Sequence, residues 1–291
     1  MDISWEDWRL FLAVAEAGSL SGAARALRLG QPTLSRRIGL LEERLDGPLF
    51  VRRPDGVTPT ALAERLVPVA RRMAEWASDA ERVVAGRERA PEGRVRIAAP
   101  PGVAFDFLAP LAAVLRKRVP GVRLEVLADV EYVSLARGEA DLALRSRAPT
   151  EHDLVGLAAI PLHAAALATR DYARKLPRRY GLADLDWIAW APPFEHAPPN
   201  PQLRAALGEG FRPVFTSNDY LVQLSAMAAG VGAMMLGRPF HRLSRAGQFV
   251  ELAVDLGPAG RSTFHLIVAK RMVDVPRIRA VVDVLLGELI R

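Results

Sequence analysis

Apolar positions recur at helical spacing through roughly the first ninety residues, and in shorter strand-like runs after them. Trp8, Phe11, Leu12 and Ala15 stand at i, i+3, i+4 and i+7, the stripe of an amphipathic helix. Ser4 and Asp7 ahead of it have the spacing of a capping box, and Gly18 after it suits a left-handed C-cap. Ser19 or Ser21 caps a second short helix, whose Ala23, Ala24 and Leu27 permit close packing and which Gly30 breaks. Gln31-Pro32 opens a third, with proline in the first turn where its missing N–H is harmless. Leu34, Ile38, Leu41 and Leu45 supply its buried stripe, and Thr33, Arg36 and Arg37 occupy other faces. Phe50–Arg53 and Val57-Thr58 then flank Pro54-Asp55-Gly56, a hairpin-turn signal. From Thr60 to about Arg89, Leu62, Leu66, Val69, Met73, Trp76, Ala80 and Val83 recur every three or four residues. That pattern predicts a long helix, kinked or divided at Pro68, and without a core of its own it needs a partner, most simply its copy in a second subunit.

A polar, glycine-bounded seam at Gly86–Gly93 separates this part from the rest. Beyond it the pattern alternates. Strands are expected at Val95–Ala98, Leu124–Leu127, Ala140–Leu144, 154–160, 163–168, 187–190, 231–236 and 264–269. Helices are expected near Phe105–Arg118, Tyr132–Arg137, 201–207, 219–229 and 276–290. Such alternation implies an α/β domain with mostly parallel sheets and a ligand cleft at the strands' C-terminal ends.

Composition narrows the chemistry. With 291 residues, half of them hydrophobic, the chain can bury two cores or more. No cysteine is present, which removes disulfides, thiolate metal sites and cysteine nucleophiles. The five histidines show no metal-ligand spacing, and no G-x-S-x-G, Walker loop or nucleophile–base set occurs, so no catalytic residue, metal site or cofactor is expected. Gly230–Gly237 lacks the third glycine of a dinucleotide loop and reads as a tight helix-to-strand turn. The N-terminus is acidic, and the longest weakly polar run, Leu224 to Leu236, has only 13 residues, so a cytoplasmic chain without a membrane span is expected. The net charge of +6 is modest and lies mostly beyond residue 90. Locally, Arg25 to Arg53 holds seven arginines against Glu42, Glu43 and Asp46. That concentration, on two short helices and a hairpin, is what favours DNA phosphate.

The run Phe11–Ala24, then Leu27, Gln31-Pro32-Thr33-Leu34-Ser35, Leu41-Glu42-Glu43-Arg44-Leu45 and Pro48–Arg52, resembles the winged helix-turn-helix of LysR-type transcriptional regulators. The second half is similar too, in Val119-Pro120-Gly121-Val122, Gly138–Arg145 and Ala229-Gly230-Val231-Gly232. The resemblance implies an N-terminal winged helix-turn-helix, mainly α, over residues 1–59, and a long linker helix at 60–90 used for dimerisation. It also implies an α/β two-lobed effector domain at 91–291 like type 2 periplasmic binding proteins, with lobe I about 91–162 and 266–291 and lobe II about 163–265. Three departures stand out. Asp46 occupies the place usual for glycine after Leu45, and Thr60-Ala61-Leu62-Ala63 lacks the glycine usual at the end of the wing. Ala98-Ala99-Pro100-Pro101-Gly102 presents no hydroxyl where the family commonly has serine or threonine near the cleft.

The resemblance further implies DNA contact by Ser21, Arg25, Gln31, Pro32, Thr33, Ser35, Arg36 and Arg37, with wing phosphate contacts from Arg52 and Arg53. Effector contact is implied for Pro100, Pro101, Gly102, Arg145, Ser146, Thr216, Ser217 and Asn218. Arg145 or Arg147 is read as the partner of an anionic ligand, as a surface arginine or as a structural partner of Asp141, and Trp190, Phe194 and Phe264 as aromatic walls or plain core. The expected partners are double-stranded promoter DNA, a small-molecule effector, a second copy in a homodimer or dimer of dimers, and RNA polymerase. A different reading makes residues 91–291 a solute-binding or enzymatic α/β domain fused to a non-functional DNA module; the missing catalytic constellation argues against it.

Overall fold

The computed structural model describes residues 3–84, 91–208, 211–238 and 248–289, which fall into two units, Met1–Arg89 and Ala90–Arg291. Most of the polar seam, the last residues of the expected linker helix and the end of the expected final helix lie outside the described residues.

The first unit runs α1 (Trp5–Ala17), α2 (Leu20–Leu27), α3 (Gln31–Arg44), β1 (Phe50–Arg53), β2 (Gly56–Pro59) and α4 (Ala61–Val84). The capping box forms: Asp7 N donates to Ser4 Oγ at 3.2 Å, and Ser4 N to Asp7 Oδ2 at 3.1 Å. Gly18, at φ +63°, ends the helix in the left-handed region. The buried face is Leu10, Phe11, Leu12 and Val14, slightly rotated from the expected stripe. Trp8 stays half-buried, edge-on to Phe11. Ser19 rather than Ser21 caps α2, accepting from Gly22 N at 3.1 Å. That helix stops at Leu27, before Gly30, because Arg28 turns left-handed (φ 54°) and the Leu29 N–H returns to the Ala24 carbonyl. Leu34, Ile38 and Leu41 join α1 and α2 in one core with Leu49, Ala63 and Ala70.

The Asp46 departure has a definite structural outcome. Asp46 itself takes the left-handed position (φ 52°), its N–H returning to Glu43 O at 3.2 Å and that of Gly47 to Glu42 O at 3.1 Å. This is a complete Schellman closure, so the cap is not displaced to Gly47. Helix α4 begins under Thr60, whose Oγ1 accepts from Ala63 N at 3.3 Å and donates to Pro48 O at 2.8 Å. It remains one helix of 24 residues through Pro68 rather than dividing there. Pro68 and Glu64 both lie on its exposed face, where water can serve the carbonyl that proline leaves free.

The second unit is built on β3 (Gly93–Ala99), β4 (Val122–Ala128), β5 (Leu142–Arg145), β6 (Leu154–Ala168), β9 (Met234–Gly237), β10 (Val250–Glu251) and β11 (Arg261–Ala269), with β7 (Ile188–Trp190) and β8 (Phe215–Ser217) paired separately. The order is β10-β6-β11-β5-β3-β4, with β9 also on β6. Among the described residues the parallel pairings are those of β3 with β4 and β5 and of β7 with β8, besides an isolated bridge between Trp187 and Ala233; β11 and the partners of β6 run antiparallel. The expected mostly parallel sheet is therefore wrong. Residues 154–160 and 163–168 form one strand, and β11 returns directly alongside it. The first part of β6 serves β11 and the second part serves β9 and β10, so β6 links two separate cores. One holds Val95, Phe107, Leu142, Leu266 and Ile278, the other Ala166, Tyr172, Trp187 and Leu203.

After β3 the chain forms α5 (Pro101–Val103), a π-helical segment (Ala104–Leu108) and α6 (Ala109–Arg118). Then follow α7 (Arg170–Lys175), α8 (Asn200–Leu207), α9 (Tyr220–Ala228) and α10 (Pro276–Leu289). No helix forms at Tyr132–Arg137. Glu139 captures Ser134 N (2.6 Å) and the Ser134 hydroxyl captures Arg137 N (3.2 Å), so local side-chain bonds replace helical ones. Gly230, at φ +79°, makes the tight turn between α9 and β9 that the sequence suggested.

Candidate functional site

Two surfaces carry the chemistry. The first is the exposed face made by the α3 N-terminus and the β1–β2 wing. Ser21 Oγ donates to Gln31 Oε1 at 3.1 Å, joining the start of α2 to that of α3. Arg52 Nη2 donates to Ser35 Oγ at 2.9 Å, joining the wing to α3. Arg53 Nε reaches Thr58 Oγ1 at 3.0 Å across the hairpin. Gln31, Pro32, Thr33 and Arg36 are exposed on the first turns of α3, as is Arg25 on α2. No side chain caps α3, so its dipole-positive end is open toward an anion.

The adjacent arginines Arg36 and Arg37 of α3 differ. Arg37 leans on Glu6 at 3.5 Å, whereas Arg36 makes no hydrogen bond or ion pair with any described residue. A helical step of 100° turns one arginine toward α1 and leaves its neighbour for solvent. Glu6 also takes a two-pronged contact from Arg9, and Asp7 pairs with Arg44 at 3.1 Å. The Arg9 hydrogen bond holds the Glu6 carboxyl below its ordinary value. Burial works against ionisation of Asp7, yet the Ser4 hydrogen bonds and the Arg44 charge outweigh it, and its carboxyl is also lowered.

Sequence reasoning missed what fixes the wing. Glu42 Oε1 accepts from Leu49 N at 2.7 Å and from Phe50 N at 3.1 Å, tying the start of β1 to α3. In the sequence Glu42 stands out only as a motif residue and as charge set against the nearby arginines; an acid in the half-buried register of α3 is the available signal. At the wing tip, Gly56 lies against the end of α1. A Cβ there would stand 2.3 Å from Gly18 O, which accepts from Val57 N at 2.8 Å.

The second surface is a cleft in the α/β unit. A cavity of about 130 Å³ lies between the residues after β3 and those of β7, β9 and α9. Pro100 and Gly102 line it, as do Trp190 and Phe264, two of the three expected aromatic walls. Asp106 and Tyr220 close one side: Tyr220 Oη donates to Asp106 Oδ2, linking the π segment to the start of α9. Beyond Tyr220 a more open hollow of about 470 Å³ is lined by Pro101, Asn218, Phe105 and Phe194, with Asp129 and Asp219 at its walls.

Arg145, Ser146, Thr216 and Ser217 line neither cavity. Arg145 is buried, donating to Val133 O, lying 4.8 Å over the Tyr132 ring and 4.0 Å from Glu151. Burial lowers its basicity. It is therefore not positioned as a ligand cation, nor is it the partner of Asp141. That role belongs to Arg96, whose Nη2 lies 2.9 Å from Asp141 Oδ1 while its backbone N–H donates to Oδ2 at 2.8 Å. Ser146 is engaged with the Tyr132 hydroxyl at 2.9 Å. Thr216 sits in β8, in register with Ala189, and Ser217 Oγ accepts from Asp219 N at 3.1 Å. Asp106, Tyr220 and Gln223 were not anticipated; an aspartate within an otherwise apolar helical run was the signal for the first.

Among the described residues no helix is long and apolar enough to cross a membrane. Residues 5–64 match the family described as "Bacterial regulatory helix-turn-helix protein, lysR family", and residues 88–289 match "LysR substrate binding domain". The transcriptional regulator PtxR of Pseudomonas aeruginosa is 33% identical over 181 residues, which take in 61% of this chain and 58% of that protein. The LysR-type regulator CrgA of Neisseria meningitidis shares the fold at a TM-score of 0.55 and 23% identity, over 99% of both chains. Full-length CbnR, solved in complex with its target DNA, shares it at 0.64 and 18% identity, over 98% of this chain and 100% of that one.

Proposed function

The chain belongs to the LysR family of bacterial transcriptional regulators, and from that footing we propose that it binds promoter DNA through α3 and the wing under the control of a small molecule in the cleft. In this reading residues 1–59 form the DNA-binding part, 60–90 the dimerisation helix and 91–291 the effector-binding part. Gln31, Thr33 and Arg36 enter the major groove, with Pro32 shaping the first turn and Ser35 aiding. Ser21, Arg25, Arg37, Arg52 and Arg53 serve the flanking phosphates. The observation that supports this is the exposed Arg36, which has no partner among the described residues, on a helix whose register to the wing is fixed by the Arg52–Ser35 bond. The DNA complex solved for CbnR supports the choice of ligand.

A homodimer or dimer of dimers forms through α4, where Val69 and Trp76 are exposed apolar residues. The effector favours one arrangement of lobes and subunits, altering the spacing of the two recognition helices and the contact with RNA polymerase. Such a protein works in the cytoplasm. Fluorescence anisotropy with the DNA upstream of its own gene, against scrambled DNA of equal length, tests the reading. At least hundredfold preference for the upstream DNA is expected; equal affinity for both would refute it.

A further inference from the structure

We propose that the cleft takes a small, ring-sized apolar molecule carrying one hydrogen-bond donor, and that Gln223 is the acceptor that selects it. This rests on the cleft's being the effector site. Trp190 and Phe264 bring aromatic faces to the cavity, and Met234 and Met235 bring thioethers that adapt to a ring laid against them. At about 130 Å³ the cavity is close to the ~150 Å³ that accepts benzene.

Such pockets bind by apolar contact and choose by a few placed polar groups. Gln223 lines the cavity and is 3% exposed. Its Nε2 donates to the Ser217 backbone carbonyl at 2.8 Å. A carbonyl can only accept, so that bond fixes which end of the amide is nitrogen and which is oxygen. Oε1 takes no hydrogen bond from any described residue. A ring with a donor meets this oxygen, whereas a ring without one shuts it off from water unmet.

The amide is also held still. Ser217 ends β8 and Gln223 lies in the first turn of α9. Between them Asp219 caps α9, accepting from Leu221 N at 2.8 Å and from Val222 N at 3.0 Å. The side chain is thus tied at its nitrogen to a strand end and at its backbone to a capped helix. Across the cavity, Pro100 and Gly102 offer no polar side chain, and Ala98 to Gly102 carries no hydroxyl. Trp190 Nε1 is engaged with Pro198 O at 3.0 Å, and Tyr220 and Asp106 are bonded to each other. Selection by a ligand donor therefore falls to Gln223.

The test uses the full chain and two probes of matched shape, phenol and toluene, which differ by a hydroxyl in place of a methyl. Calorimetric titration gives affinities for the native chain, Gln223→Leu and Gln223→Met, with circular dichroism identifying the variants that fold. Met235→Trp and Leu162→Phe, which fill the cavity, report where binding occurs. Phenol is expected to bind the native chain at least tenfold tighter than toluene. Either Gln223 variant should bring the two within about threefold, since a bond worth tenfold or more is lost, and the filling variants should abolish binding. Toluene binding the native chain as tightly as phenol overturns the donor selection. A phenol preference that survives both Gln223 variants overturns Gln223 as the acceptor. Phenol affinity unchanged by the filling variants overturns the cavity as the site, and binding of neither probe overturns the ligand class. Anisotropy with the upstream DNA, with and without saturating phenol, tests the underlying reading separately. Gln223-dependent binding that leaves DNA affinity unmoved keeps the site and overturns its role as the effector site.

Discussion

Removing the Glu42 carboxylate should release the wing. Its Oε1 receives the N–H groups of Leu49 and Phe50, at 2.7 and 3.1 Å. Leu49 is fully buried, so water cannot replace the lost acceptor, and an unsatisfied buried donor costs about 1–3 kcal/mol. Phe50 is half-buried and loses less. Alanine's better helix propensity returns a few tenths of a kcal/mol. Glu42→Ala should therefore destabilise the N-terminal unit by about 2–4 kcal/mol, and Glu42→Gln, which keeps an uncharged acceptor, by about 1 kcal/mol. For a unit of this size about 1 kcal/mol moves the melting point by roughly 4–8 °C. Thermal unfolding and amide exchange at residues 49–59 provide the assay, with the wing amides exchanging much faster in Glu42→Ala. A melting point within about 2 °C of the native chain, with unchanged exchange at Leu49 and Phe50, would refute the reasoning.

Asp46→Gly should raise stability by about 0.5–1 kcal/mol in thermal unfolding, because Asp46 is a non-glycine residue at φ 52° in a cap that glycine fills without strain. Arg96→Ala should cost about 3–5 kcal/mol in denaturant titration of the α/β unit, since it strands the Asp141 carboxylate at 6% exposure; Arg96→Met with Asp141→Leu should recover much of that. The Glu6 and Asp7 carboxyls are lowered in the folded state, so their contribution is complete above their ordinary values of 4.5 and 3.8 and disappears as pH falls through the folded-state values. Glu6→Gln should accordingly lower the melting point at pH 7, with the difference from the native chain shrinking steadily at more acid pH.

Periodicity and punctuation carried the N-terminal unit because its signals are local. Ser4, Gly18 and Pro32 each act within one turn of the chain, and the structure uses all three as caps or starts. The α/β unit was harder, because its decisive contacts join distant residues. The long strand β6 runs through Pro161, which a local reading takes for a break, and its pairing with β11 spans about a hundred residues. The Tyr132–Arg137 segment has an acceptable helical composition, but Glu139, Arg145 and the Ser134 hydroxyl take its backbone groups instead. Within the cleft, position in the sequence pointed to Pro100, Pro101, Gly102 and Asn218, which line the two cavities, but equally to Arg145, Ser146, Thr216 and Ser217, which line neither. The Asp106–Tyr220 pair spans 114 residues of sequence and leaves no local trace. Arg145 illustrates the converse: its charge suggests a ligand, and only the structure places it over the Tyr132 ring.

The central claim is that the α3–wing face binds DNA. Its most direct test is the salt dependence of affinity for the upstream DNA, comparing the native chain with Arg36→Ala and Arg52→Ala. Each phosphate contact removed should flatten the plot of log affinity against log salt by about 0.9. Arg52→Ala should do this while weakening all sequences alike, and Arg36→Ala should erode the preference for the upstream DNA over scrambled DNA by tenfold or more. Affinity, slope and preference all unchanged in both variants would contradict the account.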